Sequence, residues 1–529
     1  FWGVPGREPE TARLVEARRE GFREILRGAA ERDSNGLETR LADLILPQIL
    51  FMVRDGGDNT PEKQKNRLGQ PGLWSLGISG DFPLILFEYN DPADLERLEP
   101  YIRTHRSLRL RGVSADLVIA YREGGEYSRS RYEAVRGCVR NAGCDYLIGT
   151  RGGIHLCNLA SHPEEIHTLL IATACHIAVD GQKAEFEPYA ALPLLPGTPP
   201  APELPPDALR VFAGGFVKDG FVIPHGGESP AAPWCHILGH ATFGTLLSDR
   251  SLGFSWAVNS RENKLTPWSN DPVTDNRGEM LLLRWGGRCY DLCRNARVTF
   301  RPGSARYENR LGGLNAVVTV RVPGNLPAKV VDLELENAGT QPVELEAAYF
   351  VEPVLGVSTA AKRQIAFTRR EELLLMRNPW GAVSGSAFLL PPEGSVRFIQ
   401  SRAAFFSGKW QAQEDYDGPD LCAAAVVSRR LTPGARVTLR FALGWAAGEE
   451  PAVRVARLVQ GRPILSDPPV RWKNEIHVST PDPALDVLVN DWLPWQFLSS
   501  RILGRTGFYQ CGGAWGFRDQ LQDCQAALL

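Results

Sequence analysis

Leu314-Asn315-Ala316-Val317-Val318-Thr319-Val320-Arg321-Val322, Val330-Val331-Asp332-Leu333-Glu334-Leu335-Glu336 and Val343-Glu344-Leu345-Glu346-Ala347-Ala348-Tyr349-Phe350-Val351 succeed one another with turn residues between them. Each run alternates in polarity or stays apolar for the length of a strand, and β-branched side chains favour the pleated backbone. The same reading extends to Ala387–Leu390, Ala423–Val427 and Arg436–Ala442. From 207 to 472 the pattern predicts a large antiparallel sandwich with no amphipathic helix.

Before it, residues 190–206 carry so many prolines (Pro193, Pro196, Pro199, Pro200, Pro202, Pro205, Pro206) that a linker without regular structure is expected. Residues 61–189 alternate between strand and helix patterns. Strands are expected at Phe82–Tyr89, Ala115–Tyr121 and Gly153–Leu156, and helices at Asp94–Arg111, Ser128–Asn141 and Pro163–Ala178. That order predicts a small parallel βαβ layer. It has no glycine fingerprint for phosphate between strand and helix, so no nucleotide site is expected. Residues 1–60 read as helix over Glu8–Arg32 and Leu37–Met52. Helical period returns over 473–529, with Asp482 placed to cap Pro483–Leu498.

With 529 residues the chain exceeds one ordinary domain. Its net charge of −2 supplies no basic field for nucleic acid. No uninterrupted apolar run approaches the roughly 18 residues of a membrane span. Ten dispersed cysteines without a CxxC pair are expected to be reduced and buried. His236 and His240 have the i, i+4 spacing of a zinc pair on a helix, but the Glu that usually accompanies such a pair is missing.

The chemistry concentrates in Tyr509-Gln510-Cys511-Gly512-Gly513-Ala514-Trp515-Gly516-Phe517-Arg518-Asp519-Gln520-Leu521-Gln522-Asp523. Glycines let backbone approach a ligand, aromatic faces cover the apolar face of a sugar ring, and the Arg-Asp pair and amides suit hydroxyls. The plain alternative for Arg518 and Asp519 is a surface ion pair behind a helix cap. Gln522 and Asp523, one turn on, either face the same ligand or brace the loop. Trp268 and Asn270 lie in a polar, aromatic loop that turn chemistry alone could explain.

This motif, with Asn259-Ser260-Arg261-Glu262-Asn263-Lys264-Leu265-Thr266-Pro267-Trp268-Ser269-Asn270-Asp271-Pro272 and Leu73-Trp74-Ser75-Leu76-Gly77-Ile78-Ser79-Gly80-Asp81-Phe82-Pro83, resembles the inverting β-glycoside phosphorylases of glycoside hydrolase family 94. Within that family the likeness is greatest to the phosphorylase-like part of cyclic β-1,2-glucan synthases. The resemblance implies a multi-domain α+β chain: helices and a small α/β segment, an antiparallel β-supersandwich, then the first helices of an (α/α)6 catalytic barrel. It assigns saccharide binding to Arg518 and Asp519 and implies a sugar-facing position for Trp268 and Asn270; Tyr509, Gln510, Trp515, Gln522 and Asp523 complete the candidate site on their own side-chain chemistry and spacing. An arginine upstream of the tyrosine contacts sugar or phosphate in smaller members. Arg505 is the nearest match and Arg501 the next.

Hydrolytic inversion needs two carboxyl groups, whereas in phosphorolysis the phosphate is itself the nucleophile and one acid suffices. The family's acid lies in an Asp-Trp-Asn-Asp motif downstream of the Arg-Asp loop. The 529 residues are expected to lack it and to be inactive alone. No catalytic residue is therefore named. Asn490-Asp491-Trp492 is read as a helix face. The implied co-substrate is inorganic phosphate or a sugar 1-phosphate, with no metal or organic cofactor. The implied partners are a β-glucan oligosaccharide, the rest of a parent polypeptide and, as an open alternative, a second copy in a homodimer; nucleic acid is not among them. The implied location is the cytoplasmic side of an inner membrane. The alternative function is a non-catalytic carbohydrate-binding or scaffolding module.

Overall fold

The computed structural model describes residues 36–50, 60–125, 129–178, 191–201, 203–225, 232–268, 271, 278–408, 410–414, 416, 420–461, 476–514 and 516–525, with a few isolated positions before 36. The helix expected over Glu8–Arg32 falls almost wholly outside that set. Two compact units result: 1–187 together with 417–419, and 188–416 together with 420–529. Among the described residues no helix is long and apolar enough to cross a membrane.

The first unit is built on a four-stranded parallel sheet in the order Ile154–Asn158, Asp116–Tyr121, Leu84–Tyr89, His176–Ile177. Helices Asp94–Leu110, Ser130–Asn141 and Glu164–Thr173 make the crossovers that parallel pairing demands. Alternation puts Ile85, Phe87 and Tyr89 on one face, where Leu98, Tyr101, Ile102, Val135 and Val139 cover them. Helix Leu37–Leu50 adds Ala42, Ile45 and Ile49 to that core. The helix expected to continue to Ala178 stops at Thr173. Cys175 N–H donates to Leu84 O (2.8 Å) and Ala178 N–H to Leu86 O (2.9 Å), so the open edge of the central strand takes up 176–177 as a fourth strand.

His167 ties the third crossover helix to this sheet. Its Nε2 lies 2.5 Å from Glu88 and its Nδ1 3.2 Å from Glu164, with the opposing Arg122 Nη2 3.3 Å from Nδ1. The hydrogen bond to Glu88, and then that to Glu164, raises its pKa above 6.5. A raised histidine pKa contributes stability that is complete below the unfolded value and fades as pH rises through the folded one. The thermal midpoint of the wild-type chain should therefore exceed that of His167→Gln most at about pH 6, and the gap should close by about pH 9. A gap that widens with pH would contradict this assignment.

The second unit is the supersandwich. Its eleven-stranded sheet runs Ala366–Arg370, Leu373–Arg377, Ser386–Leu390, Arg436–Ala446, Ala328–Asn337, Leu314–Arg321, Ser304–Leu311, Arg297–Arg301, Gly220–Ile223, Gly214–Val217, Leu209–Val211. A six-stranded sheet runs Val396–Ser401, Leu421–Leu431, Val343–Val351, Glu279–Trp285, Arg288–Asp291, Leu194–Pro196, and Cys235–His240, Phe243–Ser248 and Phe254–Ala257 make a third. Inward residues such as Val318, Val320, Leu333, Tyr349, Phe398 and Phe441 share one buried core.

Two expectations are corrected here. The proline-rich segment is not wholly irregular. Leu194–Pro196 pairs in parallel with Cys289–Asp291 as the last strand of the six-stranded sheet, where a residue without an N–H is tolerated. Nor is the sandwich free of helix. Glu449–Gly461 lays Ala452, Val453, Ala456 and Val459 over Ala328, Val330, Phe388 and Ala442.

At the centre of the sandwich lies a fully buried charge pair. Lys329 Nζ sits 2.9 Å from Glu279 Oε2, both side chains having no exposure, and donates to Thr245 Oγ1 (3.1 Å) and Leu252 O (2.5 Å). Tyr349 donates to Glu279 Oε2 at 2.7 Å, while Ser255 (2.7 Å) and Thr266 (2.9 Å) donate to Oε1. Burial pulls the Lys329 ammonium's pKa down and pushes the Tyr349 phenol's up. Strands of all three sheets meet in this one network.

Candidate functional site

The helical segment over 483–504 starts as its sequence requires. Asp482 accepts from Ala484 N–H (2.9 Å) and Leu485 N–H (3.4 Å), and Pro483 fills the first turn, where a missing donor costs nothing. Its apolar side anchors on the sandwich. Trp495 is buried, and Trp492 stacks on His236 with ring centroids 5.9 Å apart and meets Phe216 edge-on. His236 lies on a strand, not the helix that zinc spacing would need. Its Nε2 is 2.8 Å from Arg301 O, and burial pushes its pKa down to about 4. Asn490 holds the backbone of Val478 through both ends of its amide (2.9 and 2.8 Å), a structural duty.

The helical run ends at Gly504, and the chain turns through Arg505 at φ 50°. From there to Gly513 the loop closes on itself: Gly513 N–H donates to Arg505 O (3.1 Å) and Gly507 N–H to Gln510 O (2.8 Å). It also docks on the turn that follows strand Phe254–Ala257. Asn259 Nδ2 donates to Gly513 O (2.9 Å), Ser260 Oγ to Arg505 O (3.3 Å) and Cys511 Sγ to Ser260 O (2.8 Å). Arg505 Nη2 donates to Val258 O (3.0 Å) and Trp268 Nε1 to Gly507 O (3.2 Å). Phe508, Cys511 and Trp268 pack around Ile237, Leu246, Phe254 and Trp256. Burial raises the Cys511 thiol's pKa, so it behaves as a neutral packing group.

Beyond the loop, helix Phe517–Gln525 opens with Arg518 and Asp519. Their side chains are 84% and 53% exposed and meet each other at 3.1 Å. Asp523 pairs with Arg501 of the preceding helical run. Tyr509, Gln510 and Gln522 are exposed, Tyr509 standing edge-on to Phe508 with centroids 5.0 Å apart. Trp515 and Asn270 lie outside the described residues. The structure thus brings Arg505, Tyr509, Gln510 and Trp268 into one stapled loop cluster. It sets Arg518, Asp519, Gln522 and Asp523 on the helix beyond, where the first two engage each other. Among the described residues no group of His, Cys, Asp and Glu could hold a metal ion. Sequence reasoning passed over Val258, Asn259 and Ser260 as site residues. An Asn ahead of Ser signals only a local turn.

The family model for the supersandwich domain of glycosyl hydrolase 94 matches residues 220–462, and that for the catalytic domain of the glycosyl hydrolase 94 superfamily matches 471–529. Together they cover more than half of the chain, and the stapled loop and the Arg518 helix fall in the catalytic-domain stretch. The chain belongs to glycosyl hydrolase family 94. Among curated proteins, cyclic beta-(1,2)-glucan synthase NdvB of Rhizobium meliloti (strain 1021) is 28% identical over 532 residues, covering 87% of this chain and 18% of that protein. N,N'-diacetylchitobiose phosphorylase of Vibrio furnissii is 28% identical over 133 residues, covering 23% of this chain and 17% of that protein. The chain therefore spans less than a fifth of either relative's length. Among solved structures, a bacterial glucoamylase complexed with acarbose aligns with TM-score 0.32 and 9% identity over 45% of this chain and 36% of that one. Membership of family 94 makes the protein a carbohydrate-active enzyme or part of one.

Proposed function

We propose that this family 94 chain supplies the supersandwich and part of the catalytic domain of an enzyme that acts on β-1,2-linked glucans by inverting phosphorolysis or glucosyl transfer. The observation that carries the reading is the staple between Asn259 and Gly513, 254 residues apart in sequence. The two stretches on which the resemblance rests most firmly meet in space, and the glycine loop they form leads directly into Arg518 and Asp519. In this reading the guanidinium and carboxylate take hydroxyls of the donor sugar, and Tyr509 and Trp515 cover its faces. Inorganic phosphate is the nucleophile in one direction and a sugar 1-phosphate the donor in the other. One general acid then suffices, and no residue of 1–529 is assigned to it.

The test incubates the polypeptide that carries these residues with β-1,2-oligoglucans and phosphate and analyses products by mass spectrometry and anomer-resolved NMR. Release of α-glucose 1-phosphate, dependent on phosphate, is expected. Inverted glucose formed without phosphate would make the protein a hydrolase. Glucan binding without turnover would favour a binding or scaffolding module.

A further inference from the structure

Both sides of the loop contact hold non-glycine residues in left-handed backbone. Val258 has φ 65° on the sandwich side and Arg505 φ 50° on the loop side. A β-branched residue pays sterically for that conformation, which persists only where its surroundings impose it and which clusters at functional sites. Here the two strained residues are joined, Arg505 Nη2 donating to Val258 O at 3.0 Å. The sandwich turn is itself braced from two directions. Asn259 Oδ1 accepts from Arg261 N–H (2.9 Å) and Glu262 N–H (3.1 Å), capping the turn while Nδ2 reaches the loop. Lys264, only 8% exposed, donates to Arg261 O (2.8 Å) and Val357 O (3.0 Å) and meets no carboxylate within 4.0 Å among the described residues. Burial pulls its pKa down. A nearly buried ammonium spent on two carbonyls fixes the turn's backbone.

The fit at Gly513 is equally tight. A Cβ there would lie 2.1 Å from Asn259 Oδ1 and 2.9 Å from Arg261 N, on backbone already at φ 62°. We propose that the sandwich turn 258–264 is a template that imposes the saccharide-binding shape on the loop 505–513, with Asn259 as its positioning residue. This assignment rests on the saccharide reading of that loop. It makes the sandwich a working part of the site rather than a spacer, because loop geometry is set by a turn more than two hundred residues upstream. Asn259 touches no substrate in this scheme; it acts through Gly513.

Asn259→Asp separates the two duties of the side chain. The carboxylate still caps Arg261 and Glu262 but cannot donate to Gly513 O, and it repels that carbonyl. In the 529-residue chain, hydrogen exchange at the amides of Gly507 and Gly513, both bonded within the loop, should accelerate at least about tenfold, with the global thermal midpoint unchanged. The dissociation constant for a β-1,2-linked glucooligosaccharide, by calorimetry, should rise about tenfold, as expected for one lost hydrogen bond. Gly513→Ala attacks the contact from the other side and should show the same loosening, which keeps the test available if the Asp variant fails to fold. Unchanged exchange in both variants overturns the template. A loosened loop with unchanged affinity overturns its role in binding. A wild-type chain that binds no glucan fails the functional reading instead, and the exchange rates then decide the template on their own.

Discussion

Lys329→Ala is expected to destabilise the sandwich by about 3–5 kcal/mol, enough to unfold much of it near physiological temperature. The cost has little to do with the ion pair's own strength, since a buried pair roughly offsets its desolvation. It comes from what remains. Glu279 would be left as a carboxylate with no exposure, facing Tyr349, Ser255 and Thr266 but no cation. Thr245 and the Leu252 carbonyl would also lose their donor. The double change Lys329→Met with Glu279→Gln should cost distinctly less than the sum of the single changes, because it removes both charges together. Urea unfolding followed by tryptophan fluorescence reads this directly. A loss under about 1 kcal/mol for Lys329→Ala would mean that water reaches the pair and that the sheets are not joined there.

Arg518→Ala should behave in the opposite way, leaving the thermal midpoint where it is and lowering glucan affinity or turnover about a hundredfold. Its side chain is 84% exposed and its only described partner is the neighbouring Asp519, so folding gains well under about 1 kcal/mol from it. In the proposed complex a guanidinium bonded to sugar hydroxyls is worth more, about 2–3 kcal/mol for charge-assisted hydrogen bonds. Asp519→Asn should lose somewhat less, since the amide keeps one acceptor. Calorimetry with a β-1,2-oligoglucan and phosphorolysis rates supply the two readings. Unchanged affinity in both variants would reduce the pair to a surface ion pair at a helix start.

Most of the fold could be read from side-chain period. Val318 and Val320, Leu333 and Leu335, and Ala347 to Val351 are in strands because their alternation or apolar runs match the pleat, and the structure buries them accordingly. Helix Glu449–Gly461 escaped because its buried stripe consists only of alanines and β-branched valines, Ala452, Val453, Ala456 and Val459, at the end of a long β-rich tract. His176–Ile177 escaped because its strand character comes from the open edge of Leu84–Tyr89, not from its own two residues. The same distinction governs the site. The glycines, Tyr509 and the Arg-Asp pair announce themselves locally. Asn259 gains its meaning only from Gly513, and no window of sequence contains both. Gly513 was legible as a flexible position, but not as one that a Cβ would push into a neighbouring turn.

Leu194–Pro196 closes the six-stranded sheet with a strand flanked and ended by prolines. Pro193 and Pro196 cannot donate from their nitrogens, so a visiting strand would find gaps in the ladder it tried to copy. Immediately afterwards Thr198 exchanges hydrogen bonds with Arg310 (2.7 and 3.2 Å), carrying the chain across to the larger sheet. A segment composed like a tether therefore acts as a hem. It seals one margin of the sandwich against aggregation, and a polypeptide trimmed to begin after it would leave the Arg288–Asp291 margin bare and prone to recruit its own kind.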